Sequence, residues 1–405
     1  MIGKYVASSS RCHVVLLDVW RVINSKGGTD KVFCDMANEL VQRGYKVTAL
    51  CFDKHKGEPG YKLSPQVYFK NCYSKGGFFE RNPWKLLRCW AFNRTRRHAK
   101  KILFQDKVKA KSIQTVLENL EPVDLYISFE PEGTFILKSL LNIQKPVVSM
   151  YHLPIAKFLK SLGFNAFYKQ AVTLSEVVHV LTAEEASIAR SLHRNSKVIC
   201  IPNIAPQYTQ TTDVKCNKKI INIARLAEQK RPELLIRAFA KIKDDYPDWT
   251  CEWWGENLFD KELSERVNKL VIELGLKGRL TFLGTTDNVV EKLNSGAIFA
   301  FPSKFEGLPL ALLEAFAMGV PAVGCADCSI VKKMIVDGQS GIVTSPNPDE
   351  YALALTKLID DPELRFRLGQ QGRAYSERFS PDKIWKSWEN VINELCLKNG
   401  SRSIL

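Results

Sequence analysis

With 405 residues the chain exceeds the size at which a single hydrophobic core stops growing, so two domains are expected. Hydrophobic residues at 45% and charged residues at 25% exclude a disordered polypeptide, and no run of about 18 uncharged apolar residues exists to build a membrane-spanning helix. The net charge of +15 sits wholly in the first half: residues 1–205 hold 31 Lys and Arg against 16 Asp and Glu, while residues 206–405 hold 27 of each.

In chain order, the first apolar run, residues 14–20, is broken by Asp18 and is too short for a signal peptide; residues 14–17 read as a strand. SKGGTDK, residues 25–31, then puts Gly27 and Gly28 between this strand and a helix predicted over 29–43. Its Val32, Phe33, Met36, Ala37, Leu40 and Val41 recur at helical spacing. The two glycines let a ligand approach the backbone closely, although a plain turn explains them equally well. Gly44 ends the helix and 45–52 is the next strand. Neither G-x-G-x-x-G nor the Walker pattern occurs, which argues against dinucleotide or ATP binding.

Residues 81–111 hold 11 basic residues and one acid, with Trp84, Leu86, Leu87, Trp90 and Phe92 interleaved. Such a segment is drawn to anionic surfaces, whether nucleic acid, lipid or charged glycan. Trp84, Arg88, Trp90, Arg94, Arg96, Arg97, Lys100 and Lys101 are its candidate contacts. A solvated basic helix with its tryptophans packed on the core is the competing reading. Apolar runs at 123–129, 147–151, 177–181 and 198–201 continue the strand series, and His152 stands at the exit of one of them. A polar stretch, 207–219, then reads as a linker.

The second half repeats the rhythm, with strands predicted at 220–224, 250–254, 280–283, 298–301 and 322–324. Strands alternating with helices make parallel sheets covered on both faces. The expected architecture is α/β, with doubly wound domains over 1–205 and 206–380 and a final segment, 381–405. The 11 cysteines are scattered and odd in number, which suits free thiols of a reducing cytosol. Cys325 and Cys328 form a C-x-x-C with no second pair nearby, so no metal is expected.

Ligands of such sheets bind where strands end, so the loops there hold the candidate chemistry. Arg225 ends a strand, and Lys230 precedes a helix expected to begin at Pro232. Two cations beside a helix start suit a diphosphate, although two solvated surface charges would look the same. FEGLPLALLEAFAMGVP, residues 305–321, is an apolar helix flanked by Pro309, expected at its first position, and Gly319, expected after its end. Glu306 lies just before it and Glu314 inside it. Backbone amides at Leu308, Leu310 and Ala311 can hold phosphate, with one carboxylate on each side for sugar hydroxyls. That spacing suits a sugar nucleotide.

Arg225, Lys230 and SKFEGLPLALLEAFAMGVPAVG, with its E-x7-E pair Glu306 and Glu314, resemble the retaining glycosyltransferases of family 4. The resemblance is strong over about residues 219–345, and weaker but collinear through Gly27-Gly28, His152 and Ile201-Pro202-Asn203. It implies the GT-B fold of two facing Rossmann-like domains. It further implies that Arg225 and Lys230 bind the donor diphosphate together with Gly307, Leu308, Pro309 and Leu310, and that Glu314 binds the ribose. Glu306 would hold the donor sugar, His152 would sit near the reacting carbon, Gly27 and Gly28 would approach the phosphates, and the last helix, around Ile384, Trp385, Trp388, Val391 and Ile392, would pack back on the first domain. Trp254-Gly255-Glu256-Asn257 and Ile204 depart from the family pattern.

The implied enzyme moves a hexose or N-acetylhexosamine from a nucleotide sugar, with UDP the commoner nucleotide among relatives. No Asp-x-Asp occurs, so cationic side chains and a helix start are expected to replace a metal, and no cofactor is expected. The basic first half points to a membrane-associated glycolipid, lipid-linked oligosaccharide or lipopolysaccharide acceptor, met from the cytoplasmic side by a peripherally bound protein. A sugar-nucleotide epimerase of related fold is the alternative enzyme. A nucleic-acid binder is the alternative of another class, disfavoured because no nucleic-acid module is recognisable.

Overall fold

The computed structural model describes residues 11–73, 94–160, 166–209, 211–255 and 261–400. The chain divides into two compact units, Met1–Pro202 with Lys386–Leu405, and Asn203–Trp385. The division falls within a few residues of the polar linker and of the start of the last helix, Pro381–Gly400.

The first unit is built on a seven-stranded parallel sheet. Its strands are β1 (Arg11–Asp18), β2 (Tyr45–Cys51), β3 (Tyr68–Asn71), β4 (Leu125–Ser128), β5 (Val147–Tyr151), β6 (Val177–Val180) and β7 (Lys197–Cys200), in the order β3-β2-β1-β4-β5-β6-β7. Val14, Val15, Leu16 and Leu17 of β1 are fully buried, as a central strand covered on both faces demands. Leu17 pairs with Ser128 of β4 on one side and Leu50 of β2 on the other. The helix Gly28–Gln42 starts one residue before its predicted position and buries Phe33, Met36, Ala37 and Leu40. Strand order reverses between β1 and β4, which opens a crevice at their carboxyl ends.

β3 is absent from the predicted set because it is an edge strand whose residues alternate between exposed and half-buried, so it has no apolar run to show. Residues 386–397 of the last helix pack on this unit. The Trp388 ring meets His179 at 4.8 Å, Tyr45 donates to Asn393 Oδ1 at 2.8 Å, and Arg43 pairs with Glu389 at 3.2 Å. Cys12 and Cys396 form a disulfide, contrary to the expectation of thiols throughout. A scattered cysteine pattern cannot disclose a pair 384 residues apart.

The second unit carries a six-stranded parallel sheet. Its strands are β8 (Lys219–Ile223), β9 (Thr250–Trp254), β10 (Leu280–Phe282), β11 (Ile298–Phe301), β12 (Ala322–Cys325) and β13 (Gly341–Thr344), ordered β10-β9-β8-β11-β12-β13. The short edge strand β13 also escapes the sequence reading. One core holds Ile220, Trp253, Ile298 and Val323 of the sheet against Phe239 and Leu355 of the covering helices. Arg365, 2% exposed, braces it: its guanidinium donates to the carbonyls of Val214, Lys215, Leu358 and Ile359 at 2.6–2.9 Å and lies over the Trp249 ring. Here the order reverses between β8 and β11.

No helix among the described residues is long and apolar enough to cross a membrane.

Candidate functional site

The loops after β8 and β11 border the crevice of the second unit, and they bring together the cation and the carboxylate singled out in sequence. Lys230 Nζ lies 2.5 Å from Glu306 Oε1, with side-chain exposures of 16% and 8%. Lys230 ends a short 3-10 turn, Glu228–Lys230, and the helix Pro232–Ile242 follows with proline at its first position. Between them Arg231 takes φ +50, a left-handed conformation unusual for a side chain this long. A forked pair with Asp327, beyond β12, holds it there. The Arg231 guanidinium also keeps the Asp327 carboxyl below its ordinary pKa. Gln229 Nε2 donates to Phe305 O at 2.6 Å, and Lys304 N donates to Gln229 O at 2.8 Å. Lys230 is thus fixed against Glu306 by its two neighbours. Neither Gln229 nor Arg231 carried a sequence signal beyond adjacency to Lys230.

Arg225, immediately past β8, is exposed. Its backbone is shaped by Gly255 at φ +145: a Cβ there would come within 1.9 Å of Ala224 O, so only glycine fits. Glu256 and Asn257 lie outside the described residues.

The helix Leu310–Ala317 begins one residue later than predicted, with Pro309 as its N-cap rather than its first residue, and Gly319 at φ +73 stands past its end. Leu308 and Pro309 are buried, Gly307 and Leu310 half-buried. Asn203 Nδ2 donates to Leu308 O at 2.7 Å and anchors this turn to the start of the unit. Glu314 is 6% exposed. Burial, and then the Glu314 charge, raise the Tyr208 phenol above its usual pKa, which places a hydroxyl-bearing ring near this carboxylate.

In the first unit Gly27 caps the helix Gly28–Gln42. Its N–H donates to Asp30 Oδ2 at 2.8 Å, and Ser25 Oγ donates to the same oxygen at 2.5 Å. Asp53 holds the preceding turn by accepting from Val22 N and Ile23 N at 2.9 and 2.8 Å. His152 leaves β5 with its ring stacked on Phe129 at 5.2 Å. Burial, then His179, lower its pKa to about 3, so at neutral pH it is an uncharged imidazole. Its Nε2 is buried without a partner.

Trp84, Arg88 and Trp90 lie outside the described residues. Arg94, Arg96, Arg97, Lys100 and Lys101 stand on the first turns of the helix Arg94–Leu117, their side chains likewise outside the description.

Residues 209–375 match the family model of the glycosyl transferases group 1. Along 91% of its length the chain is 25% identical, over 374 residues, to an uncharacterized glycosyltransferase of Haemophilus influenzae, covering 97% of that protein. It is 23% identical over 383 residues to the amylovoran biosynthesis glycosyltransferase AmsD of Erwinia amylovora, covering 92% of this chain and 97% of AmsD. The fold is that of Anabaena Alr3699/HepE, solved in complex with UDP-glucose: TM-score 0.70 and 16% identity, over 95% of this chain and 100% of that one. The architecture is therefore α/β with GT-B glycosyltransferase neighbours, the stretch 209–375 matches the group 1 glycosyltransferases, and the full-length relatives are glycosyltransferases.

Proposed function

We propose that the protein is a retaining glycosyltransferase of family 4 that moves a hexose or N-acetylhexosamine from a UDP-sugar to a glycan acceptor, with no metal ion or cofactor. The observation that carries this reading is the Lys230–Glu306 pair where strand order reverses in the second unit. A cation for the diphosphate and a carboxylate for sugar hydroxyls stand side by side there, as the junction between phosphate and sugar of one donor requires. In the transfer, negative charge grows on the departing diphosphate oxygen. Lys230 and Arg225 meet that charge, helped by the backbone amides of Leu308, Leu310 and Ala311. Glu314, deeper in the helix, takes the ribose hydroxyls, and Glu306 takes those of the sugar. His152, an uncharged imidazole in the first unit, keeps a buried nitrogen without a partner that suits a sugar hydroxyl. The UDP-glucose complex of the Anabaena neighbour supports a UDP-sugar donor, and likeness to AmsD supports a role in polysaccharide assembly.

The two carboxylates separate under test, with titration calorimetry of UDP and UDP-glucose and turnover measured in excess EDTA. Glu314→Gln should weaken UDP itself by roughly tenfold, since a charged acceptor of ribose hydrogen bonds is lost. Glu306→Gln should leave UDP binding unchanged or tighter, because Lys230 is released from its partner, while turnover falls. Equal loss of UDP affinity in both variants, or activity that EDTA abolishes and Mg²⁺ restores, would overturn the assignment.

A further inference from the structure

Four buried side-chain polar atoms among the described residues lack a hydrogen-bond partner: Glu130 Oε2, His152 Nε2, His179 Nδ1 and Asn222 Oδ1. Two of these residues, Glu130 and His152, follow the neighbouring strands β4 and β5, and Phe129, next to Glu130, is the ring that stacks on His152. Glu130 is 8% exposed and stands beside β1, where strand order reverses in the first unit. Phe129 N donates to Leu17 O at 2.9 Å, and Val19 N–H donates to the Glu130 carboxylate.

The other acids at this sheet edge hold the protein together. Asp53 and Asp30 brace the loop after β1, Asp18 accepts from Trp20 N at 2.8 Å, and Glu132 takes Lys109 and the Trp20 indole. Glu130 Oε2 is left buried without a hydrogen-bond partner, two residues past the end of β4, with its hydrogen-bonding capacity unspent. An unpartnered buried polar atom costs stability, and such atoms concentrate where a ligand completes the bond.

We propose that Glu130 is a specificity-determining residue that hydrogen-bonds a hydroxyl of an uncharged, polyhydroxylated acceptor sugar at the crevice of the first unit. The assignment to the acceptor rests on the glycosyltransferase reading, in which Arg225, Lys230, Glu306 and Glu314 of the second unit take the donor. Burial and the neighbouring acids, Asp18 first, raise the Glu130 pKa well above the carboxylate range, so the group can also donate a proton to a hydroxyl oxygen. A sugar bearing a carboxylate or phosphate at this position would meet Asp18, Asp30 and Glu132, and the nearby Lys109 is already paired.

Saturation-transfer NMR on the full chain tests this, with methyl α-D-glucopyranoside, methyl α-D-galactopyranoside and methyl α-D-glucuronide as probes, with and without saturating UDP. At least one neutral glycoside should bind and the glucuronide should not. Glu130→Gln, similar in shape, should weaken the neutral probe about tenfold and Glu130→Ala should abolish its signal, with UDP affinity unchanged in both. Absence of binding by both neutral probes, equal binding of the glucuronide, or unchanged binding in the variants would overturn the proposal. So would a Glu130→Gln protein that keeps the methyl glycoside signal but loses affinity for UDP-glucose relative to UDP, because the hydroxyl would then belong to the donor. Failure of the wild-type protein to bind UDP would instead reject the donor site, leaving the UDP-free glycoside measurement to judge Glu130.

Discussion

Lys230 and Glu306 depend on each other, and that dependence separates stability from catalysis. With Lys230→Ala, a carboxylate that is 8% exposed loses its counter-ion, so the protein should lose about 1–3 kcal/mol as well as turnover. Arg225→Ala removes an exposed cation and should reduce turnover by roughly ten- to a hundred-fold with an unchanged melting temperature. The double change Lys230→Ala/Glu306→Gln should recover the melting temperature without recovering turnover. A double variant as unstable as Lys230→Ala would show that the pair is not what Lys230 contributes to the fold. Both residues were legible in the sequence because each stands just before a predicted helix start, Lys230 ahead of Pro232 and Glu306 ahead of the apolar helix that carries Glu314. Their pairing was not, since 76 residues separate them and no local pattern encodes a contact at that distance. Glu130 escaped notice for a related reason: an acid in a loop reads as solvated surface, and its burial at 8% exposure is set by tertiary packing that no local pattern encodes.

Among the elements, the central strands were legible because burial on both faces forces continuous apolar runs, as in residues 14–17 or 147–151. Edge strands β3 and β13 carry a weaker demand and a weaker signal. The helix Pro362–Ser376 shows a limit of another kind. Its Arg365 reads as one of many surface cations, yet it is buried and satisfies four carbonyls from two separate segments, 214–215 and 358–359. Arg365→Met should keep the volume but strand those carbonyls, at a cost of about 3–5 kcal/mol. In a unit of this size that lowers the melting temperature by roughly 6–20 °C. Arg365→Lys, with three donors and no planar fork, should restore only part of the loss. Thermal denaturation followed by circular dichroism measures both, and a shift under about 2 °C for Arg365→Met would mean that water replaces the guanidinium without penalty.

On the scale of the whole molecule the asymmetry of charge asks for a function, because the half that holds the proposed donor site is neutral while residues 1–205 carry the entire +15. Residues 81–111 alone supply 11 cations against one acid, with tryptophans at 84 and 90. Basic residues near an anionic leaflet contribute roughly 1 kcal/mol each, and tryptophan favours the headgroup layer, so this composition fits peripheral binding where a lipid-linked acceptor is presented. Co-sedimentation with vesicles of phosphatidylcholine, with and without phosphatidylglycerol, should show binding only to the anionic set and release as salt rises past about 0.15 M. Changing Arg94, Arg96, Arg97, Lys100 and Lys101 to Gln should lower that binding at least tenfold, because about five contributions of this size are lost together. Transfer to a short water-soluble acceptor should be untouched in the same variant, since none of these residues belongs to the proposed donor site. Equal binding to neutral and anionic vesicles, or none to either, would remove the membrane from the mechanism and leave the basic segment to a charged glycan, which added heparin would then compete for directly.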